Sequence, residues 1–371
     1  MNAPSPRCRA FVIEALTVGG AERMLVDMAN AFARRGDRVH MVCLSSPGEL
    51  AGRLDAAVEL HVLDKRLGLD WRLVPRLRAL MGRLRPDVVN AHLWVANTWT
   101  RIALLGTGPR IVVTEHSRDS WKGATYRRVD RALARVSDAI VAVSSDTAAF
   151  YRDEVGVPAD RLVVINNGID VARYAAGDGR ALRASWSPDG APLVGTVGRL
   201  IEAKNHPRFV EAIGRVRDAG VAVRAVIVGE GPERGRIESA IAAAGLEDVV
   251  RLVGARDDVP DVLAALDLFV LSSDREGHPL TALEAQAAGT PVVLCDAGGS
   301  ADAIAAGDGG AGGLLVERDA RALADAIAAL VADPARLAAM GAFARARAAE
   351  RFGLDTMVDR YALVLDGRRP A

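Results

Sequence analysis

The sequence is poor in the features that would place it in a disulfide-bonded, metal-clustered or membrane-spanning class. Three cysteines occur among 371 residues, Cys8, Cys43 and Cys295, odd in number, far apart and without a C-x-x-C pair. That excludes a disulfide framework and a thiolate zinc site, and points to a reduced, cytoplasmic protein. No D-x-D occurs, and the six histidines form no cluster with ligand spacing, so no metal is expected. An apolar run of 18 residues is lacking, and the N-terminus is polar and Pro-containing without a signal-peptide core, so the expectation is a protein in solution or lying on a surface. An excess of one charge is lacking as well, since 47 Lys and Arg face 47 Asp and Glu. Nucleic acid is therefore not expected as the main partner, because binding along phosphates needs a strong basic excess. The balance conceals unlike halves, with 24 basic against 19 acidic residues up to position 170 and 23 against 28 beyond it. Aromatics make up only 4%, while half of the chain is hydrophobic and a quarter charged, the profile of a soluble globular protein.

What is present is alternation. Short β-branched runs, each followed by a stretch with helical spacing, fall at 9–16, 38–44, 87–91, 110–114, 139–143 and 162–165. A second series begins at 192–197 and continues at 222–228, 249–253, 268–271 and 291–294. This is the pattern of parallel α/β structure, begun twice, and the length suits two domains of roughly 150–190 residues. The reading is an α/β chain with two Rossmann-like domains, residues 1–168 and 192–354, joined by a linker at 169–191 that is rich in Gly, Asp, Ser and Pro. The Gly-rich stretch 307–313 reads as a loop, and the end from about 320 to 367 is helical by spacing. In doubly wound sheets ligands bind beyond the carboxyl ends of the strands, so the residues after each run are the candidates for chemistry.

The most specific segment is DREGHPLTALEAQAAGTPV at 274–292, where Glu276 lies in a loop, Pro279 suits a helix start and Glu284 lies inside the helix. Eight residues at about 1.5 Å each span roughly 10 Å, comparable with the distance from a donor sugar to its nucleoside ribose. A carboxylate accepts two hydrogen bonds and can grip a vicinal diol, and the helix start between them offers N–H groups to a diphosphate. The plainer reading is two acidic residues beside an ordinary helix N-terminus. In VGTVGRLIEAKNH at 194–206, Arg199 and Lys204 follow the first strand of the second series, where they can neutralise phosphates without metal or stand as solvated surface charges. Gly19 and Gly20 precede Ala21-Glu22-Arg23 at a helix start in the first domain, in neither the dinucleotide nor the Walker pattern. His116 follows the strand VVTE and can serve a sugar or the fold.

Taken together, these segments resemble the family 4 glycosyltransferases. The matching pieces are GGAER at 19–23, TEH at 114–116, NNGID at 166–170, VGRLIEAKN at 197–205, VGEGPER at 228–234, GARDDVPDVLAALDLFVLSS at 254–273 and EGHPLTALEAQAAGTPVV at 276–293. The resemblance covers nearly the whole chain and implies the GT-B fold, with the two domains facing across a cleft and a last helix, about 355–371, crossing back onto the first domain. It implies a retaining transfer without metal or other cofactor, from a nucleotide sugar (a UDP- or GDP-sugar) to a saccharide or lipid-linked acceptor. Glu284 would hold the ribose, Arg199 and Lys204 the diphosphate with Gly19 and Gly20, and Glu276 the sugar hydroxyls. Backbone amides of Gly277, His278, Leu280 and Thr281 would assist, His116 would touch the sugar near the reacting carbon, and Arg256 would lie near the base. His278 stands where an aromatic is common, and Gly298-Gly299-Ser300-Ala301-Asp302 departs from Gly-Gly-x-x-Glu.

Residues 121–136 read as a basic amphipathic helix, with Val129, Leu133 and Val136 on one side and Arg127, Arg128, Arg131 and Arg135 on another. It can rest on anionic lipid at the inner face of the cytoplasmic membrane, as suits polysaccharide or glycolipid assembly, or face the core with its charges solvated. Two rival functions remain from the sequence, a GT-B enzyme of another kind such as a sugar-nucleotide epimerase, and a binding or scaffold protein that kept the fold without catalysis.

Overall fold

The computed structural model describes residues 6–119, 123–304 and 312–370. Contacts divide the chain into two units, Met1–Gly168 with Leu354–Ala371, and Ile169–Gly353.

The first unit is built on β1 (Cys8–Ile13), β2 (Arg38–Cys43), β3 (Val58–Val62), β4 (Val88–His92), β5 (Arg110–Glu115), β6 (Ala139–Ala142) and β7 (Leu162–Val164). All pair in parallel in the order β3-β2-β1-β4-β5-β6-β7. Six of the strands are the apolar runs read from the sequence. The seventh, β3, escaped because Glu59 and His61 interrupt its apolar residues in the sequence VELHV, as befits an edge strand whose residues Glu59 and Leu60 are exposed. The helix Leu354–Leu365 belongs to this unit, where Arg35 reaches Asp359 at 2.6 Å and Asp355 at 2.9 Å and Arg9 reaches Asp366 at 3.1 Å.

The second unit carries β8 (Leu193–Val197), β9 (Arg224–Val228), β10 (Val250–Gly254), β11 (Leu268–Leu271), β12 (Val292–Cys295) and β13 (Gly313–Val316), parallel throughout, in the order β10-β9-β8-β11-β12-β13. The loop expected at 307–313 is corrected at its end, since Gly313 opens β13. A side chain there would collide with Val292 and Ile304, so the glycine marks a close strand approach rather than a turn. Positions 307–311 lie outside the described residues.

Residues 169–191 are corrected more substantially. They fold into the second unit as the helices Val171–Ala175 and Arg180–Trp186, with Tyr174 and Trp186 buried and Arg183 bonded to Asp267 at 2.8 Å. Helices of 5 and 7 residues are too short to display an apolar period, which is why composition alone suggested a linker.

Each unit has its own apolar core, the first around Val12, Leu77, Trp99 and Val113, the second around Phe209, Ile227, Val270 and Ile327. In each sheet the order of connection reverses once, between β1 and β4 and between β8 and β11. Crossovers leave such a pair of strands toward opposite sides, so the loops after them part and open a crevice at the carboxyl ends.

Candidate active site

In the second unit the crevice lies after β8 and β11, and that is where two of the sequence signals meet. The loop after β8 runs through Arg199 to Lys204, and the loop after β11 leads through Ser273 to Glu276. They are joined by Ser272, whose Oγ donates to the carbonyls of Lys204 at 3.0 Å and Asn205 at 2.9 Å, and by the Asp274 N–H donating to the Ala203 carbonyl at 2.8 Å. Asn205 holds the turn with φ of 44°, caps the helix His206–Asp218 and donates to Asp274 at 3.0 Å. The result is an ion pair, Lys204 Nζ to Glu276 Oε1 at 2.6 Å, shared with the Ser273 hydroxyl at 2.6 Å. Glu276 is pinned along its backbone too, donating to the Ala297 carbonyl at 2.7 Å and accepting from Gly299 at 3.0 Å. Arg199 is exposed, and among the described residues its guanidinium has no hydrogen-bond or ion-pair partner. Its loop is fixed from behind by Gly229 and Gly231, where a side chain would strike the carbonyls of Gly198 and Leu200. A cation free to move thus stands beside one that is held.

Glu284 lies in the helix Leu280–Ala288 and is fully buried. The Tyr174 hydroxyl donates to its Oε1 at 2.9 Å, so the segment taken as a linker supplies a partner to the most specific carboxylate of the sequence. Sequence reasoning missed Tyr174; the signal was the pair Val171 and Tyr174, one helical turn apart, directly after the capping Asp170. Pro279 precedes the helix and cannot cap it, so the first-turn amides, including Leu280 and Thr281, are not bonded by a capping side chain. Glu276 and Gly277 lie just before that start. His278 is buried, packed edge-on against Phe352 at 5.8 Å, and burial pushes its imidazole down to about 4. It therefore fills the aromatic position as a neutral ring. Arg256 is occupied by a two-point pair with Asp258, at 2.8 and 2.6 Å, and lies over Trp186 at 5.6 Å. Its guanidinium is committed within its own loop.

In the first unit, Gly19 is the extended residue before the helix Gly20–Arg34, which starts after β1 at the reversal of the sheet. His116 follows β5 and belongs to a chain of rings. Its Nε2 lies 3.0 Å from His92 Nδ1, and His92 Nε2 lies 2.8 Å from Asn90 Oδ1. The Asn90 amide nitrogen donates to the Thr114 hydroxyl at 3.1 Å and the Val112 carbonyl at 3.3 Å, which turns its oxygen toward His92. His92 must then carry its proton on Nε2 and accept from His116 at Nδ1, leaving His116 with a bare Nδ1 as acceptor. Burial pushes His116 down to about 4 and holds His92 well below the usual range, so both rings are neutral. Leu93, directly after His92, has φ of 68°, a left-handed backbone uncommon for leucine, at the carboxyl end of β4. His92 is one of the residues that follow a strand run, whereas Asn90 was not singled out from the sequence, where an Asn on a buried strand looks like ordinary core.

The basic helix spans Ala124–Leu133 with a short 3-10 turn to Val136; Trp121 and Lys122 lie outside the described residues. Its buried side is not the apolar stripe expected. Asp130 is buried, paired with the buried Arg101 at 3.2 Å, whereas Tyr126 and Val129 are exposed alongside Arg128, Arg131 and Arg135. The inner charge of Arg101 has drawn the helix round by its acid. Among the described residues no single helix is long and apolar enough to cross a membrane. The expectation that no histidines share ligand spacing is also corrected: His40 on β2 and Glu59 and His61 on the overlooked β3 place their ligand atoms within 4.8 Å of one another.

Residues 18–173 match the family model described as Glycosyltransferase Family 4, and residues 180–347 match Glycosyl transferases group 1. Curated relatives include the lipopolysaccharide core biosynthesis mannosyltransferase LpsB of Rhizobium meliloti, 32% identical over 69% of this chain and 72% of that protein. The lipopolysaccharide core biosynthesis glycosyltransferase LpsE of the same organism is 31% identical over 92% of each. Among solved structures, Anabaena HepE in complex with UDP matches with a TM-score of 0.85 and 25% identity, over 97% of this chain and 99% of that one. With two parallel-sheet α/β units and sites at their strand reversals, the chain belongs to the family 4 glycosyltransferases, nucleotide-sugar-dependent enzymes of the GT-B fold.

Proposed function

We propose that this chain is a retaining hexosyltransferase that needs no metal and moves a sugar from a UDP- or GDP-sugar to a saccharide or lipid-linked acceptor of the cell envelope. The observation that carries the reading is the Lys204–Glu276 pair at 2.6 Å beside Arg199, which has no partner among the described residues, at the reversal between β8 and β11. Two cations there can neutralise a departing diphosphate, the task that a metal ion performs in other designs. Glu276 receives both Lys204 and Ser273 on one oxygen, which leaves its other oxygen for sugar hydroxyls. Glu284 takes the ribose diol. On this reading the bond from the anomeric carbon to the β-phosphate oxygen breaks as the acceptor oxygen bonds that carbon on the same face. The acceptor proton passes to the leaving phosphate. His116 accepts a hydrogen bond from the donor sugar at its bare Nδ1, and Gly19 and Gly20 offer backbone to the diphosphate.

The UDP held by HepE supports a uridine donor, and the relative named as a GDP-mannose-dependent alpha-mannosyltransferase of Mycobacterium tuberculosis, 30% identical over 77% of this chain, keeps guanosine in view. The exposed Arg128, Arg131 and Arg135 beside Tyr126 and Val129 support contact with the anionic inner face of a cytoplasmic membrane, where lipid-linked acceptors reside. The test is a thermal-shift panel of UDP-, GDP- and ADP-sugars on wild type and Glu284→Ala, with and without EDTA. A shift for one nucleotide class that survives EDTA and weakens in the variant is expected. No shift with any of them would turn the reading to a scaffold that has lost its donor.

A further inference from the structure

The geometry points to a divalent metal site, zinc by its donor chemistry, on the edge of the first unit's sheet, formed by His40, Glu59 and His61. Three observations carry it. The first is register: His40 on β2 is paired directly with Glu59 on β3, and Glu59 and His61 lie two apart on one strand, so all three side chains leave the same face of adjacent strands. The second is distance. His40 Nδ1 lies 3.3 Å from Glu59 Oε2 and 3.3 Å from His61 Nε2, and Glu59 Oε2 lies 3.8 Å from His61 Nε2. Tetrahedral zinc with bonds of roughly 2.0–2.1 Å separates its ligand atoms by about 3.4 Å, so one ion placed near the centre of this triangle reaches all three.

The third observation is the hydrogen-bond count. His40 Nδ1 faces both Glu59 and His61, yet it is either a donor or an acceptor. If it donates to Glu59, it cannot accept from His61; if it accepts from His61, its lone pair opposes the carboxylate. A cation satisfies all three atoms at once. Two imidazoles and one carboxylate are a zinc donor set, and with Glu59 61% and His61 24% exposed, a water from solvent can complete the coordination. Of the three ligands only Glu59 carries a negative charge, which offsets that of the ion. Bound zinc would tie the short edge strand β3 to β2. The site lies on the strands β2 and β3 themselves rather than in the loops after β1 and β5, so it is structural rather than part of sugar transfer.

The test is calorimetric titration of the chelator-treated full chain with ZnCl2, followed by thermal melting and by the visible spectrum with Co2+. One equivalent should bind, raise Tm by about 5 °C at a hundredfold excess over Kd, and give a tetrahedral cobalt band. His61→Ala and Glu59→Gln, both at partly exposed positions, should weaken zinc more than about tenfold while leaving sugar transfer and the circular dichroism spectrum unchanged. Absence of binding by wild type would overturn the assignment, and so would equal binding by wild type and both variants, which would place the zinc elsewhere.

Discussion

The two units fix their polar site residues by opposite means. In the second, charge is held by charge: Lys204 pairs with Glu276, and Tyr174 bonds a carboxylate fully buried in the helix Leu280–Ala288. In the first, neutral groups are held in a chain, Asn90 to His92 to His116, with burial keeping both rings uncharged. An ion pair of side chains suits a site that must meet a diphosphate and then release it, because either partner can exchange the other for the ligand. A neutral chain suits a group that must present one lone pair in one direction. The difference can be tested by breaking each arrangement in turn.

The largest effect is expected at the ion pair. Lys204→Met leaves the Glu276 carboxylate, 8% exposed, with the Ser273 hydroxyl alone. The change strands that charge and takes away one of the two cations facing the departing diphosphate, so kcat/KM should fall by at least roughly a hundredfold. In the double variant with Glu276→Gln the stranded charge is gone, and the combined loss should be smaller than the product of the single losses. Multiplicative losses would show that the two residues act independently, against the paired reading.

Neutral histidines predict a pH effect of similar size, on stability instead of rate. His206 and His278 in the second unit and His116 in the first are all pushed down to about 4 by burial. The unfolded chain binds protons at these rings from about 6.5 downward while the native chain does not. Stability is therefore full above about 6.5 and declines as pH falls toward 4, by up to roughly 3 kcal/mol for each fully buried ring. His278→Phe keeps the edge-on packing on Phe352 and should remove its share of the decline, read as the difference in denaturant midpoint between pH 7 and pH 4. An unchanged decline in that variant would mean that His278 is charged in the native state.

How far the sequence reveals this depends on how locally each feature is specified. Eleven strands could be read because each is an apolar β-branched run, most of them buried on both faces, and Glu276, Glu284, Arg199 and Lys204 because they occupy fixed offsets from strand ends and a helix start. The others are features that neighbours distant in sequence create. β3 is an edge strand with two of its five residues polar, and with it went the His40, Glu59 and His61 cluster. Tyr174 acquires meaning only from Glu284, 110 residues later. Asn90 looks like core until Thr114 and Val112 turn its amide toward His92. Asp130 looks solvated until Arg101 is found beneath it, and that buried pair overrode the apolar stripe as the determinant of which face the helix hides.

The neutral chain should yield a smaller change than the ion pair. His92→Phe keeps a ring of similar size but removes the acceptor for the His116 Nε2 proton, so the His116 tautomer is no longer dictated. A loss of about tenfold in kcat with KM little changed is expected, corresponding to about 1.4 kcal/mol, and His92→Asn, which can accept that proton, should recover part of it. Equal loss in both variants would assign His92 to packing.

The smallest effect is expected at Tyr174, and it separates a structural partner from a binding one. Tyr174→Phe removes a single neutral-to-charged hydrogen bond of 2.9 Å and leaves the ring in place against the second unit's core. The isolated value of such a bond is about 1.5–3 kcal/mol, but the other polar contacts of a buried carboxylate take up part of the loss, so about 1 kcal/mol is expected, a fivefold change. If Glu284 holds the ribose, that change should fall on donor KM and on the nucleotide-induced thermal shift, with kcat and the unliganded melting point nearly constant. If Tyr174 instead serves to anchor the short helix Val171–Ala175, the unliganded melting point should drop while nucleotide binding stays the same. The two outcomes fall on different axes, so one variant measured with and without nucleotide decides whether the charge-held site of the second unit reaches back into the segment that the sequence presented as a linker.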